Sequence, residues 1–314
     1  MAEIGKDIEK ARQLLEKGEL VVIPTETVYG LAANALNESA VLKVFEVKSR
    51  PAFDPLIVHV GGIDSIAQYA EEFPPGAKHL AERFWPGPLT LVLRKKPVIN
   101  DLVTAGLPTV GLRCPDHPLS LQLLKATGFP LAAPSANPFG YVSPTKVSHV
   151  VDQLDDSVSY ILDGGDCSVG VESTIVGWND HPVIHRPGGL PTEMIESIVG
   201  RTTTVGSFNR IETPGQLKSH YAPRKRIILG SIRELLERYP DRNKVAVLSF
   251  SADYNVPNQV ILSPSGDVRQ AARNLFASLR EADNMNVEVI LTEHVPDRGL
   301  GRAINDRLSR ASAK

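Results

Sequence analysis

Apolar positions along the chain fall into alternating helical and strand periods. Ile8, Ala11, Leu14 and Leu15 recur at helical spacing, and residues 20–23 then form a short β-rich run closed by Pro24. After a turn region, Val41, Leu42, Val44 and Phe45 mark a second helix, ended by Lys48-Ser49-Arg50 and Pro51. Residues 56–60 read as the next buried strand, and Asp64 is placed as the cap of a further helix. Beyond the stiff turn Trp85-Pro86-Gly87-Pro88, strands are predicted at 89–93, 110–113, 130–133, 158–162, 173–178 and 183–186, with a helix at 118–126. Ser143-Pro144 has the form of a cap followed by proline at the first helical position, which predicts a helix running to about Leu154. Periodicity is lost over residues 201–225, which gather Thr, Gly, Ser and Pro; a linker is expected there. A second alternating series follows: strands at 226–229, 244–250, 259–262 and 287–291, helices at 231–239, 267–282 and about 301–312. The pattern predicts a mixed α/β domain over 1–200 and a small parallel, Rossmann-like α/β domain over 226–314.

Composition narrows the class. The chain has 314 residues, 42% of them hydrophobic and 22% charged, with a net charge of -2, and carries no apolar run of the roughly 20 residues a spanning helix needs. Its first residues mix both signs of charge, unlike a secretory signal, and Cys114 and Cys167 are too few and too far apart for a disulfide framework or a metal pair. A cytoplasmic protein is expected. Residues 1–200 hold 16 Lys+Arg against 24 Asp+Glu, and residues 201–314 hold 18 against 12. An acidic first domain argues against nucleic acid held there by bulk charge.

Four segments crowd polar residues beside apolar strands, where α/β proteins place ligands: Pro24-Thr-Glu-Thr-Val-Tyr-Gly30, Lys48-Ser-Arg-Pro51, Pro134-Ser-Ala-Asn-Pro138, and Asp163-Gly-Gly165 with Val171-Glu-Ser-Thr-Ile175. Each has a plain alternative. Lys48 and Arg50 either complete the negative end of a helix dipole in water or clamp phosphate. Arg113 on its strand needs an acid, either an internal partner or a carboxylate ligand. Ser135 and Asn137 either form a turn or present hydroxyl and amide to a ligand. Ser143 either caps its helix or marks a helix start that holds phosphate. His59 in a buried strand fits an ordinary core residue. Gly165-x4-Gly170 lacks the Gly-Lys-Ser/Thr of a P-loop, and neither GxSxG nor HExxH occurs, so no metal ligand set is identified among protein side chains.

In order, these segments resemble the YrdC-like threonylcarbamoyl-AMP synthases in their longer form with an extra C-terminal domain. The matching pieces are PTETVYGLAANA at 24–35, KSRP at 48–51, PLIVHV at 55–60, WPGPLTLVL at 85–93, TAGLPTVGLR at 104–113, APSAN at 133–137, SPT at 143–145, DGG at 163–165, VESTIV at 171–176, RPG at 186–188 and SHYAP at 219–223. The resemblance implies an open, twisted mixed sheet with a concave basic site. It implies catalytic roles for Lys48 and Arg50, ATP contacts at Arg50, Asp54, Thr109, Ser135, Asn137, Ser143, Arg186 and Tyr221, and threonine contacts at Thr27, His59, Arg113, Ala133 and Ser173. Asp54 departs from the neutral residue many relatives carry ahead of Pro-Leu-Ile-Val-His, and a carboxylate near phosphates needs a metal or base between them.

The implied reaction joins L-threonine, bicarbonate or CO2 and ATP into threonylcarbamoyl-AMP and pyrophosphate, with Mg2+ accompanying ATP. The product would pass to a transferase that modifies tRNA beside the anticodon, with RNA contact a further expectation. The linker, through Tyr221, is expected to act as a lid. Two other classes compete: a double-stranded RNA or tRNA-binding module without turnover, and a carbamoyl-adenylate handling enzyme like those of hydrogenase maturation.

Overall fold

The computed structural model describes residues 2–178, 181–204 and 212–313; part of the expected linker, 205–211, lies outside them. Eleven strands among the described residues form one sheet: β1 (Glu3–Gly5), β2 (Val21–Ile23), β3 (Gly30–Asn34), β4 (Ile57–His59), β5 (Leu89–Arg94), β6 (Thr109–Arg113), β7 (Leu131–Ala132), β8 (Tyr160–Leu162), β9 (Thr174–Trp178), β10 (Pro182–Arg186) and β11 (Thr203–Thr204). Their order is β1-β8-β2-β3-β7-β4-β6-β5-β9-β10-β11, with parallel and antiparallel neighbours mixed, as expected. Helices α1 (Ile8–Glu16), α2 (Glu38–Lys48), α3 (Ile66–Tyr69), α4 (Pro75–Phe84), α5 (Asp101–Thr104), α6 (Pro118–Thr127), α7 (Val147–Leu154) and α8 (Thr192–Val199) accompany the sheet.

Strand alternation divides the core. In β2, Val21 and Ile23 pack with Ala11 and Leu15 of α1 and Leu123 and Leu124 of α6. Val22 joins the opposite cluster with Leu31 of β3 and Ala40, Val41 and Val44 of α2. Both faces of β2 are therefore covered, which explains its unbroken apolar run. β3 occupies a stretch expected to be a turn region; it pairs antiparallel with β2, Ile23 opposite Gly30, so residues 24–29 become a tight connection at one end of the sheet. β4 runs parallel to β6 with His59 opposite Arg113, and β7 lies between β3 and β4. This packing brings the polar segments together.

Two expected helix starts are corrected. Ser143-Pro144 opens no helix: α7 begins at Val147, and the Ser143 hydroxyl donates instead to Glu172. Asp64 is not a cap, since it sits inside a 3-10 turn over Ile63–Ser65 with no side-chain capping bond. α4 and α8, not predicted, pack on one another. β11, at the start of the expected linker, pairs with β10 at the edge of the first sheet.

The second domain holds β12 (Arg226–Leu229), β13 (Val245–Ser249), β14 (Gln259–Ile261) and β15 (Val289–Thr292) in the order β12-β15-β13-β14, all parallel. Helices α9 (Ile232–Arg238), α10 (Val268–Asn284) and α11 (Gly301–Ala311) complete it. α10 is capped by the Asp267 side chain and buries Ala271, Ala272, Leu275, Phe276 and Leu279 at helical spacing. Val28, Val142, Val171 and Tyr221 belong to the same apolar cluster, so the two domains share a core. Polar contacts reinforce the seam. Arg280 donates to the carbonyl of Val142 and to Gln153 Oε1 (3.0 Å), and Tyr141 Oη donates to Asp283 Oδ2 (2.7 Å).

Candidate active site

Lys48 ends α2, where Ser49 takes a left-handed conformation (φ 50°) and turns the chain inward. The Lys48 side chain does not face water. It is 1% exposed, and Nζ donates to the carbonyls of Ser135 (2.6 Å) and Asn137 (2.5 Å). Burial, with Arg50 nearby, lowers its pKa well below the ordinary range. Arg50 is buried too. Its Nε donates to the carbonyl of Asp54 (3.0 Å), its Nη2 to that of Pro55 (2.7 Å), and Nη2 lies 3.1 Å from Asp54 Oδ2. The departure at Asp54 thus has a local meaning: its carboxylate sits beside Arg50, and burial raises its pKa against the pull of Arg50, Lys48 and Arg186.

Arg113, at the end of β6, finds an internal acid: Nη2 lies 2.8 Å from Glu26 Oε1 and donates to Thr27 Oγ1 at 2.8 Å. Its buried Nε keeps no hydrogen-bond partner. Beside it His59 is held neutral, its pKa lowered to about 3 by burial and by Arg113. Arg186, closing β10, donates through Nε and Nη2 to the Ser173 carbonyl (3.3 and 2.9 Å), and Nη2 also reaches Ser173 Oγ (3.2 Å). Its Nη1 reaches the carbonyl of Pro214 in the linker (3.2 Å).

These groups surround one cavity of about 50 Å³, lined by Arg50, His59, Arg113, Ala133, Ser135, Ser173 and Arg186 together with Glu172, Pro214, Gly215, His220 and Tyr221. The other expected residues stand around it at different depths. Lys48 lies behind Ser135, and Thr27 touches the wall through Arg113. Asn137 folds back, its Nδ2 donating to the carbonyls of Pro138 (3.0 Å) and Tyr141 (2.9 Å), so it shapes the loop. Ser143 sits behind Glu172, donating to Oε1 at 2.6 Å. Thr109, at the start of β6, lines a separate small hollow with Pro55, Thr213 and Pro214. The linker closes over the cavity. Tyr221, at φ 62°, stacks on Phe276 of α10 (5.8 Å between centroids) and meets His220 edge-on at 4.1 Å.

Sequence reasoning passed over Glu26, Glu172 and His220 as site residues although each lies inside a quoted motif; an acid beside strand-borne arginines was the available signal. Glu172 is deeply buried. Burial pushes its pKa up, but Arg307, Arg186 and the Ser143 hydroxyl outweigh that and leave it lowered. Arg307, on α11, carried no motif at all.

Family comparisons match both domains. The Sua5, YciO and YrdC model, described as telomere recombination, matches residues 13–188, and the model described as threonylcarbamoyl-AMP synthase, C-terminal domain, matches residues 190–313. This chain belongs to the threonylcarbamoyl-AMP synthase family. Within the family, the threonylcarbamoyl-AMP synthase of Pyrococcus abyssi is 41% identical over 97% of this chain and 94% of its own, and that of Bacillus subtilis is 42% identical over 97% and 92%. The crystal structure of P. abyssi Sua5 complexed with L-threonine superposes with a TM-score of 0.94, at 40% identity, over 99% of this chain and 97% of that one. The family makes this protein an enzyme that transfers a nucleotidyl group, and it settles the competition with a pure RNA-binding module. No described helix is long and apolar enough to cross a membrane.

Proposed function

We propose that this protein condenses L-threonine, bicarbonate or CO2, and ATP into threonylcarbamoyl-AMP and pyrophosphate at the cavity between its first domain and the linker. The observation that carries this reading is the convergence of Arg50, Arg113 and Arg186 on one hollow that also presents Ser135 and Ser173. Bicarbonate and the threonine amine combine to a carbamate with loss of water. A carbamate oxygen then attacks the α-phosphorus of ATP, and pyrophosphate leaves with the electrons of the broken P–O bond.

The protein's task in such a reaction is positioning and fixed positive charge. Arg50 and Arg186 face the phosphates, while Lys48 fixes the Ser135–Asn137 loop from behind through its two carbonyl bonds. Arg113 offers its unpartnered Nε to the threonine carboxylate, with Thr27 and Glu26 holding the guanidinium in place. Neutral His59, Ala133 and Ser173 line the remaining wall.

Mg2+ fits as a companion of ATP. No cluster of three or more His, Cys, Asp or Glu occurs among the described residues, and such an ion is commonly held by phosphates with one or two carboxylates. Asp54, beside Arg50, is one acid near the cavity, both its carboxylate oxygens buried without a hydrogen-bond partner, and Glu172 lines the cavity itself. The ion would offset phosphate charge.

A 50 Å³ cavity is far below the roughly 300 Å³ of the smallest ordinary ligand pockets, so nucleotide entry requires the linker wall of Pro214, Gly215, His220 and Tyr221 to withdraw. Its return would exclude water from a labile adenylate. The product's mixed anhydride suits delivery to a tRNA-modifying transferase. The test is incubation of the full chain with labelled threonine, ATP and bicarbonate. A threonine-dependent adenylate with matching pyrophosphate is expected; pyrophosphate release indifferent to threonine, or seen only with carbamoyl phosphate, would refute the reading.

A further inference from the structure

The C-terminal domain sends one side chain up behind the wall of the catalytic cavity. Arg307, on α11, is among the largest fully buried side chains of the molecule. Its Nε donates to Glu172 Oε2 at 2.9 Å, and its Nη1 reaches the Pro187 carbonyl (3.0 Å) and Asp306 Oδ2 (2.6 Å). The guanidinium lies 5.0 Å from the centroid of the Tyr221 ring, and Nη2 is buried with no hydrogen-bond partner.

Two of these contacts, Glu172 and Tyr221, are residues that line the cavity, and a third, Pro187, adjoins one. Glu172 uses its other oxygen to hold Ser143. Pro187 follows Arg186, whose side chain is another wall. Tyr221 is the aromatic ring of the linker that closes it. A guanidinium completely out of water is tolerated only where acids and carbonyls meet it, and the planar fork of Arg does so in three directions at once. A residue needed merely to dock the domains has no reason to grip the residues that form the substrate wall, since the seam already has the Arg280 and Asp283 contacts.

We infer that Arg307 is a positioning residue of the ATP site, holding Glu172 with Ser143 on one side and supporting the closed Tyr221 ring on the other, so that the last helix of the C-terminal domain belongs to the catalytic machinery. The inference rests on the reading of this cavity as the ATP site. It accounts for a second domain that supplies no described residue to the cavity lining itself.

The test compares the full-length wild type with Arg307→Lys, Arg307→Met and the double variant Arg307→Met/Glu172→Gln, which leaves no lone buried charge and protects against simple failure to fold. Circular dichroism establishes that each variant is folded. Threonine-dependent pyrophosphate release then gives KM for ATP and for threonine separately, and calorimetric titration of the analogue α,β-methylene-ATP, whose carbon bridge replaces the oxygen at the bond the reaction breaks, gives nucleotide affinity without turnover. Arg307→Met and the double variant are expected to raise KM for ATP and the analogue Kd about tenfold, the loss of one charge-assisted contact, with KM for threonine little changed. Arg307→Lys should recover part of the loss, because it keeps the charge and loses the fork. A lower kcat at unchanged KM and Kd, tracking the folded fraction, would make Arg307 a structural residue and overturn the inference. A wild type that binds the analogue but shows no threonine dependence would instead overturn the reaction proposed above, while the affinities still decide the role of Arg307.

Discussion

Lys48 shows how a residue's role changes once its surroundings are known. A lysine closing a helix ordinarily faces water, yet here it spans from α2 to two carbonyls of the Pro134–Pro138 loop. Lys48→Ala is therefore expected to lower stability by about 2–4 kcal/mol as well as abolish turnover, because it leaves a void and two bare carbonyl oxygens. Urea unfolding checks this; a midpoint equal to the wild type's would place the side chain in solvent. Gly215 is a second instance. At φ +80° it is in the left-handed region, and a Cβ there would lie 2.4 Å from Tyr221 Oη and 3.2 Å from Arg186 Nη1. Gly215→Ala should cost about 1–2 kcal/mol of linker docking, with faster proteolytic cleavage between residues 212 and 223 while both domains stay intact. Cleavage at the wild-type rate would mean that the linker does not pack as described.

At the scale of elements, α10 is both the core of the second domain and its attachment to the first. Near its C-terminal end, where a carboxylate opposes the helix dipole, Asp283 accepts from Tyr141 Oη, Arg224 Nε (3.1 Å) and the Lys225 backbone (2.9 Å). These bonds outweigh burial and keep its pKa lowered. Asp283→Ala should weaken the seam by about 1–3 kcal/mol and split thermal unfolding into two calorimetric transitions. A single transition with unchanged midpoint would show that the apolar contacts of Phe276 and Tyr221 alone fuse the domains. The sequence made α10 legible because its apolar face repeats over many turns. β3 was not legible: its residues Gly30, Leu31, Ala32, Ala33 and Asn34 are small and lie inside a motif whose polar start reads as loop, and only pairing with β2 makes them a strand. The proline after Ser143 suggested a helix start, but the Ser143 hydroxyl is engaged by Glu172 and helix begins only at Val147.

For the molecule as a whole, enclosure of the site beneath the linker leaves His59 and His220 buried and neutral, both with pKa values lowered to about 3 by burial. An unfolded histidine binds a proton near pH 6.5, so their contribution is complete above that pH and is lost as pH falls toward the folded values. Unfolding free energy is expected to drop by about 3 kcal/mol between about pH 7 and pH 5, ahead of the carboxylates; urea titrations at the two pH values measure it, and equal values would mean that these rings are solvated. The sequence by itself determined the two-domain α/β plan, the ordered motifs that mark the family, and the set of polar segments at strand ends, because hydrophobic period and local turn chemistry are properties of neighbouring residues. Only the tertiary structure decided that Arg113 meets Glu26, that Lys48 turns inward, and that Arg307 reaches Glu172 from 135 positions away. A buried charge chooses its partner by proximity in space and by the cost of leaving it unpaired, and neither quantity is written in the local sequence.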